Sequence, residues 1–316
     1  MILYIFIFIF SFAILFWSSN FLIGALTKIS KFLSWKEFVV SFLIMAFATT
    51  IPNFFVGIIS ALNKVPELSF SDVLGTNIAD LTLVIALAAL VSKMGLSVPS
   101  RTVQGSSLFT IGVAIFPLIL IQDGVLSRTD GILLLCAFAS YLAWLFNKKE
   151  RFKKAYGGVP EKLTLAFFSK NVFLLFGSVV LLLISTQGIV KAAVFFADYL
   201  HLPLGLIGIL IVGLGTALPE ASFALQSARK NQDWLIVGNV MGSVIMTTTL
   251  VLGVVALICP FQISDFSLFV IARIFLIISA AFFLLFIRTG HKITRREATF
   301  LLGIYITFVI VEILIK

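Results

Sequence analysis

Four pairs of polar side chains stand one helical turn apart within strongly apolar sequence. The pairs are Thr49 with Asn53, Thr76 with Asp80, Thr216 with Glu220, and Ser243 with Thr247. Because residues four apart share one face of an α-helix, each pair predicts a polar face. Hydroxyl, amide and carboxylate oxygens are the ligands that hard cations such as Na⁺ and Ca²⁺ prefer. The spacing therefore predicts a cation site, with Glu220, Asp80 and Asn53 as direct metal ligands.

Two of these side chains place a negative charge within apolar sequence. A carboxylate near the bilayer centre costs at least about 2.5–3.5 kcal/mol, so Asp80 and Glu220 need a functional or pairing reason. Arg229, the nearest base after Glu220, lies nine residues on, which is more than two helical turns. For Asp80 the structural alternatives are protonation or a pair with Lys191 or Arg273. Two carboxylates would neutralise one divalent cation or two monovalent cations.

Backbone oxygens are a second source of ligands. Pro52 and Pro219 precede Asn53 and Glu220 in sequence. Proline lacks an N–H group and collides with the carbonyl four residues earlier. We therefore expect kinks in helices two and seven, and free carbonyls at Ala48 and Gly215. Within a membrane such carbonyls must line a cavity or find another partner.

The elements that position these residues are transmembrane helices. The 316 residues are 60% hydrophobic and 12% charged, whereas a soluble chain carries about a quarter charged residues, so the composition excludes a soluble protein. A spanning helix needs about 20 mostly apolar residues, and ten such stretches occur. Their cores are Ile2–Ile23, Phe38–Leu62, Val73–Val91, Ser107–Ile121, Gly131–Phe146, Val172–Phe196, Leu204–Leu225, Leu235–Ile258, Phe266–Ile287 and Phe300–Ile315.

The basic residues report membrane topology. They lie between the apolar stretches rather than in one patch, so the net charge of +9 does not indicate nucleic-acid binding. With alternating loops, only Lys64, Arg128 and Lys316 fall clearly on the less basic side. The positive-inside rule makes the other side the cytoplasm, with both termini outside a plasma or inner membrane. The expected partners are inorganic cations and the lipid bilayer, with no obligate protein partner evident.

An internal repeat relates the two halves of the chain. An ungapped offset of 167 residues aligns Thr49 with Thr216, Pro52 with Pro219, Gly75 with Gly242 and Thr82 with Thr249. Apolar composition alone does not readily produce such matches. Five spans separate each helix from its counterpart, and an odd number inverts the copy. We therefore predict an all-α membrane protein whose ten transmembrane helices form two inverted five-helix repeats, with the site at their interface.

This plan gives the expected organisation of the chain. The first five-helix repeat spans residues 1–147, a basic cytoplasmic connection spans 148–170, and the second repeat spans 171–316. The duplicated segments, or α-repeats, span about 40–91 and about 207–258. No zinc-protease motif, nucleophile elbow or phosphate loop is evident, so we expect neither an enzyme nor a cofactor. Transported Na⁺ and Ca²⁺ would be the ligands.

Four segments resemble a known family. They are ATTIPN at 48–53, GTNIAD at 75–80, GLGTALPE at 213–220 and GNVMGS at 238–243. They are similar to the α-repeats of the sodium/calcium exchanger family, within the calcium/cation antiporter superfamily. The resemblance implies a secondary antiporter that exchanges Na⁺ for Ca²⁺ by alternating access. It also implies that the two ions compete for overlapping oxygens and that helices one and six form a sliding gate.

The sequence departs from the family pattern at the positions that carry charge. The family has an acid after the proline of each repeat, and Glu220 fits whereas Asn53 does not. The family motif Gly-Ser-Asn-x-x-Asn/Asp ends here in Asp80 and in Thr247. Two alternatives therefore stay open beside Na⁺/Ca²⁺ exchange: an H⁺- or K⁺-coupled cation exchanger, in which a desolvated carboxylate could carry the proton, and a transport-inactive relative or intramembrane enzyme.

Overall fold

Ten helices make up nearly all of the chain that the structure describes. A computed structural model describes residues 1–32, 45–92, 94–98, 101–147, 165–263 and 267–315. The outer helices are α1 (Ile2–Phe32), α4 (Arg101–Leu120), α5 (Arg128–Asn147), α6 (Leu165–Leu200), α9 (Ser267–Gly290) and α10 (Arg295–Ile315). The others are α2 (Met45–Leu62), α3 (Pro66–Ala79, Asp80–Val84 and Ile85–Val91), α7 (Leu204–Ile207, Gly208–Val212, Gly213–Thr216 and Leu218–Arg229) and α8 (Asp233–Ile245, Met246–Val251 and Leu252–Ile258).

The helices have the length and composition of membrane spans. Nine of those described can cross a bilayer, and the described part of α2 adds a shorter apolar helix, Ala46–Leu62. The chain is thus a multi-pass integral membrane protein, as predicted. The first residues of the expected helix two and of the first α-repeat fall in 33–44, outside the described residues. Most of the expected connection also lies outside them, at 148–164.

The helices form an inner group and an outer group. Most of the apolar stretch is buried in α3, α7 and α8, at 83%, 67% and 78%, whereas only 18% is buried in α1 and 22% in α5. The outer helices expose large apolar side chains such as Phe6 and Phe10. A helix that is apolar all round suits either a protein core or a lipid environment. The inner helices therefore form the core in which polar side chains are shielded from both lipid and water.

Two short ribbons display the inverted relationship of the halves. Strand β1 (Leu96–Ser97) pairs with β4 (Lys292–Ile293), and β2 (Val125–Leu126) pairs with β3 (Phe261–Gln262), both antiparallel. The offset of 167 carries β2 onto β4, and β1 to within two residues of β3. The spanning helix α4 separates β1 from β2, so the two ribbons lie at opposite ends of the molecule. The repeat therefore exchanges the ribbons, as inversion requires.

Backbone irregularities occur in the inner helices next to the predicted site. A π-helical turn occupies Asp80–Val84 in α3, and another occupies Met246–Val251 at the corresponding position in α8. Such turns loosen the regular hydrogen-bond ladder and are frequent at functional sites. Helix α7 is divided at Ala217, two residues before Pro219, where a kink was expected. Helix α2 remains helical on both sides of Pro52.

Glycines bring α3 and α7 into backbone contact. A Cβ atom added to Gly75 would lie 2.0 Å from the carbonyl oxygen of Ile209, and one added to Gly213 would lie 2.9 Å from the Cα of Gly75. Only a residue without a side chain permits this approach. The contact crosses from the first repeat to the second, and it fixes the distance between their polar faces.

Helices α1 and α6 pack against each other at one side of the inner group. Tyr4 stacks on Phe195 with ring centroids 3.8 Å apart, and Phe8 meets Phe196 edge-on at 5.5 Å. A Cβ atom on Gly188 of α6 would lie 2.2 Å from the Ser11 hydroxyl oxygen of α1. The two long helices thus form a closely packed pair.

Candidate cation site

All eight side chains predicted from the sequence are fully buried in α2, α3, α7 and α8. They are Thr49, Asn53, Thr76, Asp80, Thr216, Glu220, Ser243 and Thr247, each with 0% exposure. The chain of contacts described below connects them across the interface of the two repeats. The inner helices bring together residues that are almost 200 positions apart, as the inverted-repeat prediction requires.

The first-repeat part of the cluster is centred on Asn53. Its amide nitrogen donates to Thr76 Oγ1 at 3.0 Å and to Asp72 Oδ2 at 3.2 Å. Asp72 is fully buried and lies one helical turn before Thr76 on α3. The hydrogen bonds therefore join α2 to α3, and they add a third buried carboxylate to the two predicted from the sequence.

Hydroxyl groups carry the network from α3 to α7. Thr76 and Thr216 are 2.8 Å apart, and Thr216 donates to Asp72 Oδ1 at 2.7 Å. The Thr76 hydroxyl also lies 3.1 Å from the carbonyl oxygen of Gly213. A short O–H···O⁻ contact is among the stronger hydrogen bonds in proteins. The polar faces of the two repeats are thus bonded to each other at the point where the glycines allow close approach.

The second-repeat part contains Glu220. Ser243 donates to Glu220 Oε1 at 3.1 Å, which joins α7 to α8. Thr247 donates to Asn77 Oδ1 at 2.7 Å, and this bond returns to α3. Six of the eight predicted residues thus take part in these hydrogen bonds and those given above, and Asp80 and Thr49 are the other two.

Thr49 and Asp80 complete the set. Thr49 lies 3.2 Å from Asn239 Oδ1 on α8. Asp80 interacts electrostatically with both Asp72 and Glu220. Ser243 comes near Asp80, but its hydroxyl donates to Glu220, and neither Asp80 oxygen has a hydrogen-bond partner among the described residues. The acids of the two repeats therefore approach each other.

Hydrogen bonds in one repeat have counterparts at the corresponding positions of the other. The Asn53–Thr76 bond corresponds to the Glu220–Ser243 bond, each between residues 23 positions apart. The Thr216–Asp72 bond corresponds, by the offset of 167, to the Thr49–Asn239 bond. The same positions thus meet in both halves even where the residue types differ.

Several polar atoms of the cluster have no hydrogen-bond partner among the described residues. The oxygens are Asn53 Oδ1, both oxygens of Asp80, and Glu220 Oε2; the nitrogens are Asn77 Nδ2 and Asn239 Nδ2. Burying an unbonded polar group is costly, and burying an unpaired charge costs more. Buried oxygens without donors, together with mutually repelling carboxylates, form an arrangement that a bound cation would stabilise.

A cation here would need ligands of more than one kind. In the part of the chain that the structure describes, no three acidic, histidine or cysteine side chains converge closely enough to hold a metal ion by themselves. Hydroxyl and amide oxygens would have to complete the coordination shell. The carbonyls of Ala48 and Gly215 remain predicted ligands, and Gly215 lies two residues before the break in α7.

Sequence reasoning passed over three members of the cluster: Asp72, Asn77 and Asn239. The predicted core of helix three began at Val73, whereas the helix begins at Pro66, so Asp72 fell just outside it. Two signals were available, because Asp72 stands four residues before Thr76 and the offset of 167 aligns it with Asn239. The cluster therefore contains three carboxylates rather than two.

Comparison with known proteins supplies an independent view of the repeat. The model of the sodium/calcium exchanger protein family matches the chain at residues 3–147 and at 170–314. Both ends of the second match lie 167 residues after those of the first. This is the offset that aligns the polar faces.

Several known membrane proteins are similar over most of their length. The sodium/calcium exchanger MaX1 of Methanosarcina acetivorans is 26% identical, with 93% of each chain covered. The inner membrane protein YrbG of Escherichia coli is 25% identical, with 92% of this chain and 91% of YrbG covered. The putative antiporter CaxA of Alkalimonas amylolytica is 26% identical, with 93% and 94% covered.

Solved structures of the sodium-calcium exchanger NCX_Mj share the fold. One superposes with a TM-score of 0.68 at 24% identity and covers 98% of both chains. The match extends through all five helices of each half. The predicted architecture of two inverted five-helix repeats is confirmed.

Proposed function

Since this chain belongs to the sodium/calcium exchanger protein family and is therefore a membrane cation antiporter, we propose that it exchanges Na⁺ for Ca²⁺ by alternating access. The observation that carries this proposal is the set of buried oxygens without hydrogen-bond partners at the interface of the repeats. Those oxygens come from Asn53, Asp80 and Glu220, the expected metal ligands. Oxygen ligands of mixed charge suit both Na⁺ and Ca²⁺.

Charge balance explains how the two ions would compete. Asp80 and Glu220 offer unbonded oxygens and a combined charge of about −2 when both are ionised. One Ca²⁺ or two Na⁺ ions would neutralise this charge, and the hydroxyl and amide oxygens would complete either shell. Since both ions need the same carboxylates, binding of one would exclude the other. Exclusive binding is the requirement for exchange.

Helices α1 and α6 are the proposed moving element. They pack closely on each other, while most of their apolar stretches stay outside the core, with 18% and 28% buried. Phe12 of α1 touches the backbone of Gly215, two residues before the α7 break. Sliding of this pair over the inner helices would open the site to one membrane face and then to the other. The site residues themselves would stay nearly fixed.

Orientation and membrane follow from charge and from the relatives. We infer that the more basic face is cytoplasmic and that both termini lie outside. Similarity to the inner membrane protein YrbG supports a plasma or inner membrane location. Inorganic cations are the proposed substrates, with no resident cofactor.

Proton coupling is a second candidate, and Asp80 favours it. A buried carboxylate with no hydrogen-bond donor in the described part of the chain is a natural place for a proton to bind when no metal ion is present. In this case a proton gradient directed outward, with the proteoliposome interior more acidic, would drive Ca²⁺ uptake without Na⁺. K⁺ coupling or loss of transport remain the other outcomes of the test.

The test is uptake of radiolabelled Ca²⁺ into proteoliposomes loaded with Na⁺, K⁺ or choline, with and without a pH gradient. We expect uptake that requires internal Na⁺ and is lost in Glu220→Gln and in Asp80→Asn. Uptake that follows the pH gradient without Na⁺ would favour the proton-coupled exchanger. No uptake under any gradient would refute calcium transport.

A further inference from the structure

At two corresponding positions, the two repeats carry an acid and an amide in opposite order. The first repeat has Asn53 on α2 and Asp72 on α3. The offset of 167 relates these to Glu220 on α7 and Asn239 on α8. Each repeat therefore has one acid and one amide at the two positions, but on opposite helices. The acid missing from position 53 has its counterpart one helix away.

Asp72 is bonded in a way that orients Asn53. Its Oδ2 accepts from the Asn53 amide nitrogen at 3.2 Å, and its Oδ1 accepts from Thr216 at 2.7 Å. Because the carboxylate takes the NH₂ group of Asn53, the amide oxygen must point the other way. That oxygen, Oδ1, is buried and has no hydrogen-bond partner among the described residues. A neutral amide at position 72 could accept the same bond only through one of its two ends.

The charge of Asp72 also calls for a partner. Its bonded neighbours are two hydroxyls and one amide, none of which carries a charge. Hydrogen bonds lower the cost of burying a carboxylate, but an ionised group in the membrane interior still favours a nearby cation. Asparagine would fill the same space without this cost, as Asn239 does at the corresponding position of the other repeat. A purely structural role therefore does not account for an acid here.

We propose that Asp72 is a positioning residue of the cation site: it turns the Asn53 oxygen toward the ion and supplies the negative charge that position 53 lacks. This inference rests on the proposed transport function. It adds a residue that acts through Asn53 rather than by replacing Glu220 or Asp80. The ligand class is a hard cation that binds amide and carboxylate oxygens.

The experiment exchanges the two residues. The variants are Asp72→Asn, Asn53→Glu, and the exchange variant Asn53→Glu/Asp72→Asn, which copies the arrangement of the second repeat. Ser71→Ala is the matched control, because Ser71 is on the same helical turn and its hydroxyl donates to the backbone oxygen of Glu67, outside the polar cluster. The readouts are the KM for Na⁺-driven Ca²⁺ uptake and the shift in Tm on adding Na⁺, K⁺ or Ca²⁺ to detergent-purified protein.

We expect Asp72→Asn to raise the KM at least about tenfold, since it removes a charge-assisted bond and the fixed amide orientation. Asn53→Glu places two carboxylates side by side and should also lose uptake. The exchange variant should recover a KM within about threefold of the parent, because it restores one acid and one amide. Ser71→Ala should match the parent.

The outcomes separate this inference from the proposed function. An unchanged KM in Asp72→Asn, or an exchange variant no better than Asn53→Glu, would overturn the role of Asp72 while leaving exchange intact. If the parent shows no uptake, Na⁺/Ca²⁺ exchange fails, and the cation-induced Tm shifts decide the inference. A shift that is lost in Asp72→Asn and regained in the exchange variant supports it, and any other pattern refutes it.

Discussion

The two repeats share a hydroxyl framework but distribute their charges differently. In the first repeat both acids of the cluster, Asp72 and Asp80, lie on α3. In the second the corresponding positions of α8 hold Asn239 and Thr247, and the acid is Glu220 on α7. The same pair of positions is nevertheless hydrogen-bonded in both repeats, although Asn53 donates to Thr76 whereas Glu220 accepts from Ser243. The comparison shows that the fold determines which positions meet, whereas the charge can come from either helix that reaches the interface.

The backbone differs between the repeats as well. Helix α7 breaks at Ala217, just before Pro219, whereas α2 stays helical through Pro52. The broken helix carries the acid, and the continuous helix carries the amide. The first repeat therefore combines a continuous α2 with acids on α3, whereas the second combines a divided α7 with an acid on α7 itself.

Removing an acid gives the largest expected effect. Glu220→Gln and Asp80→Asn should each lower Ca²⁺ uptake about 100-fold, which corresponds to about 3 kcal/mol for a lost charged contact. Both should also raise the Tm in cation-free detergent, because an unpaired buried charge is removed. The rise should be larger for Asp80→Asn, since Ser243 donates to Glu220 whereas no described residue donates to either oxygen of Asp80.

Asp198→Asn is the control for this prediction, because Asp198 is exposed at the end of α6. It should change neither uptake nor Tm. A fall in the Tm of both acid variants would mean that the carboxylates stabilise the cation-free protein. The two repeats would then be held together by these acids, contrary to the comparison.

A second prediction concerns the glycine contact between the repeats. Gly75→Ala places a methyl group 2.0 Å from the Ile209 carbonyl oxygen, so α3 must move away from α7. Overpacking of this kind costs about 1–3 kcal/mol, and we expect a Tm lower by roughly 3–10 °C. Gly112→Ala on α4 is the control, because nothing lies within 4 Å of its added Cβ. Equal Tm values for the two variants would show that the interface adjusts without cost.

The threonines that cross between the repeats give a smaller, graded effect. Thr216 donates to the carboxylate of Asp72 at 2.7 Å, whereas Thr49 meets the neutral amide oxygen of Asn239 at 3.2 Å. Bonds to charged groups are worth more, so Thr216→Ala should raise the KM for Ca²⁺ about tenfold and Thr49→Ala only about threefold. Thr216→Ser should retain the parent value. Equal losses would mean that the charge on α3 does not distinguish the halves.

How far the sequence anticipates this site depends on the kind of feature. The lengths of the apolar stretches predict the ten helices, and the single offset of 167 residues predicts their inversion. Both are patterns that recur along the chain and can therefore be read from the sequence. The eight predicted side chains were found from the same kind of pattern, and all of them are buried in the four inner helices. Asp72 was missed because a polar run, Glu67 to Asp72, reads as a loop when burial is judged from hydropathy. The segment is buried because it packs closely against glycines on α7, and that contact is visible only in three dimensions.

The smallest expected effect concerns the prolines, which test the predicted carbonyl ligands. In α2, Pro52→Ala supplies an N–H group to the carbonyl of Ala48, because the helix is already continuous. If that carbonyl binds the ion, uptake should show a KM about two- to threefold higher, and the Tm should rise. In α7, Pro219→Ala should change little, because position 219 lies in the first turn of the segment that begins at Leu218, where N–H groups have no acceptor within that segment. Initial rates of Ca²⁺ uptake across a concentration series would measure both. Equal effects of the two substitutions would show that α2 and α7 present their backbones alike, and that the repeats differ in charge alone.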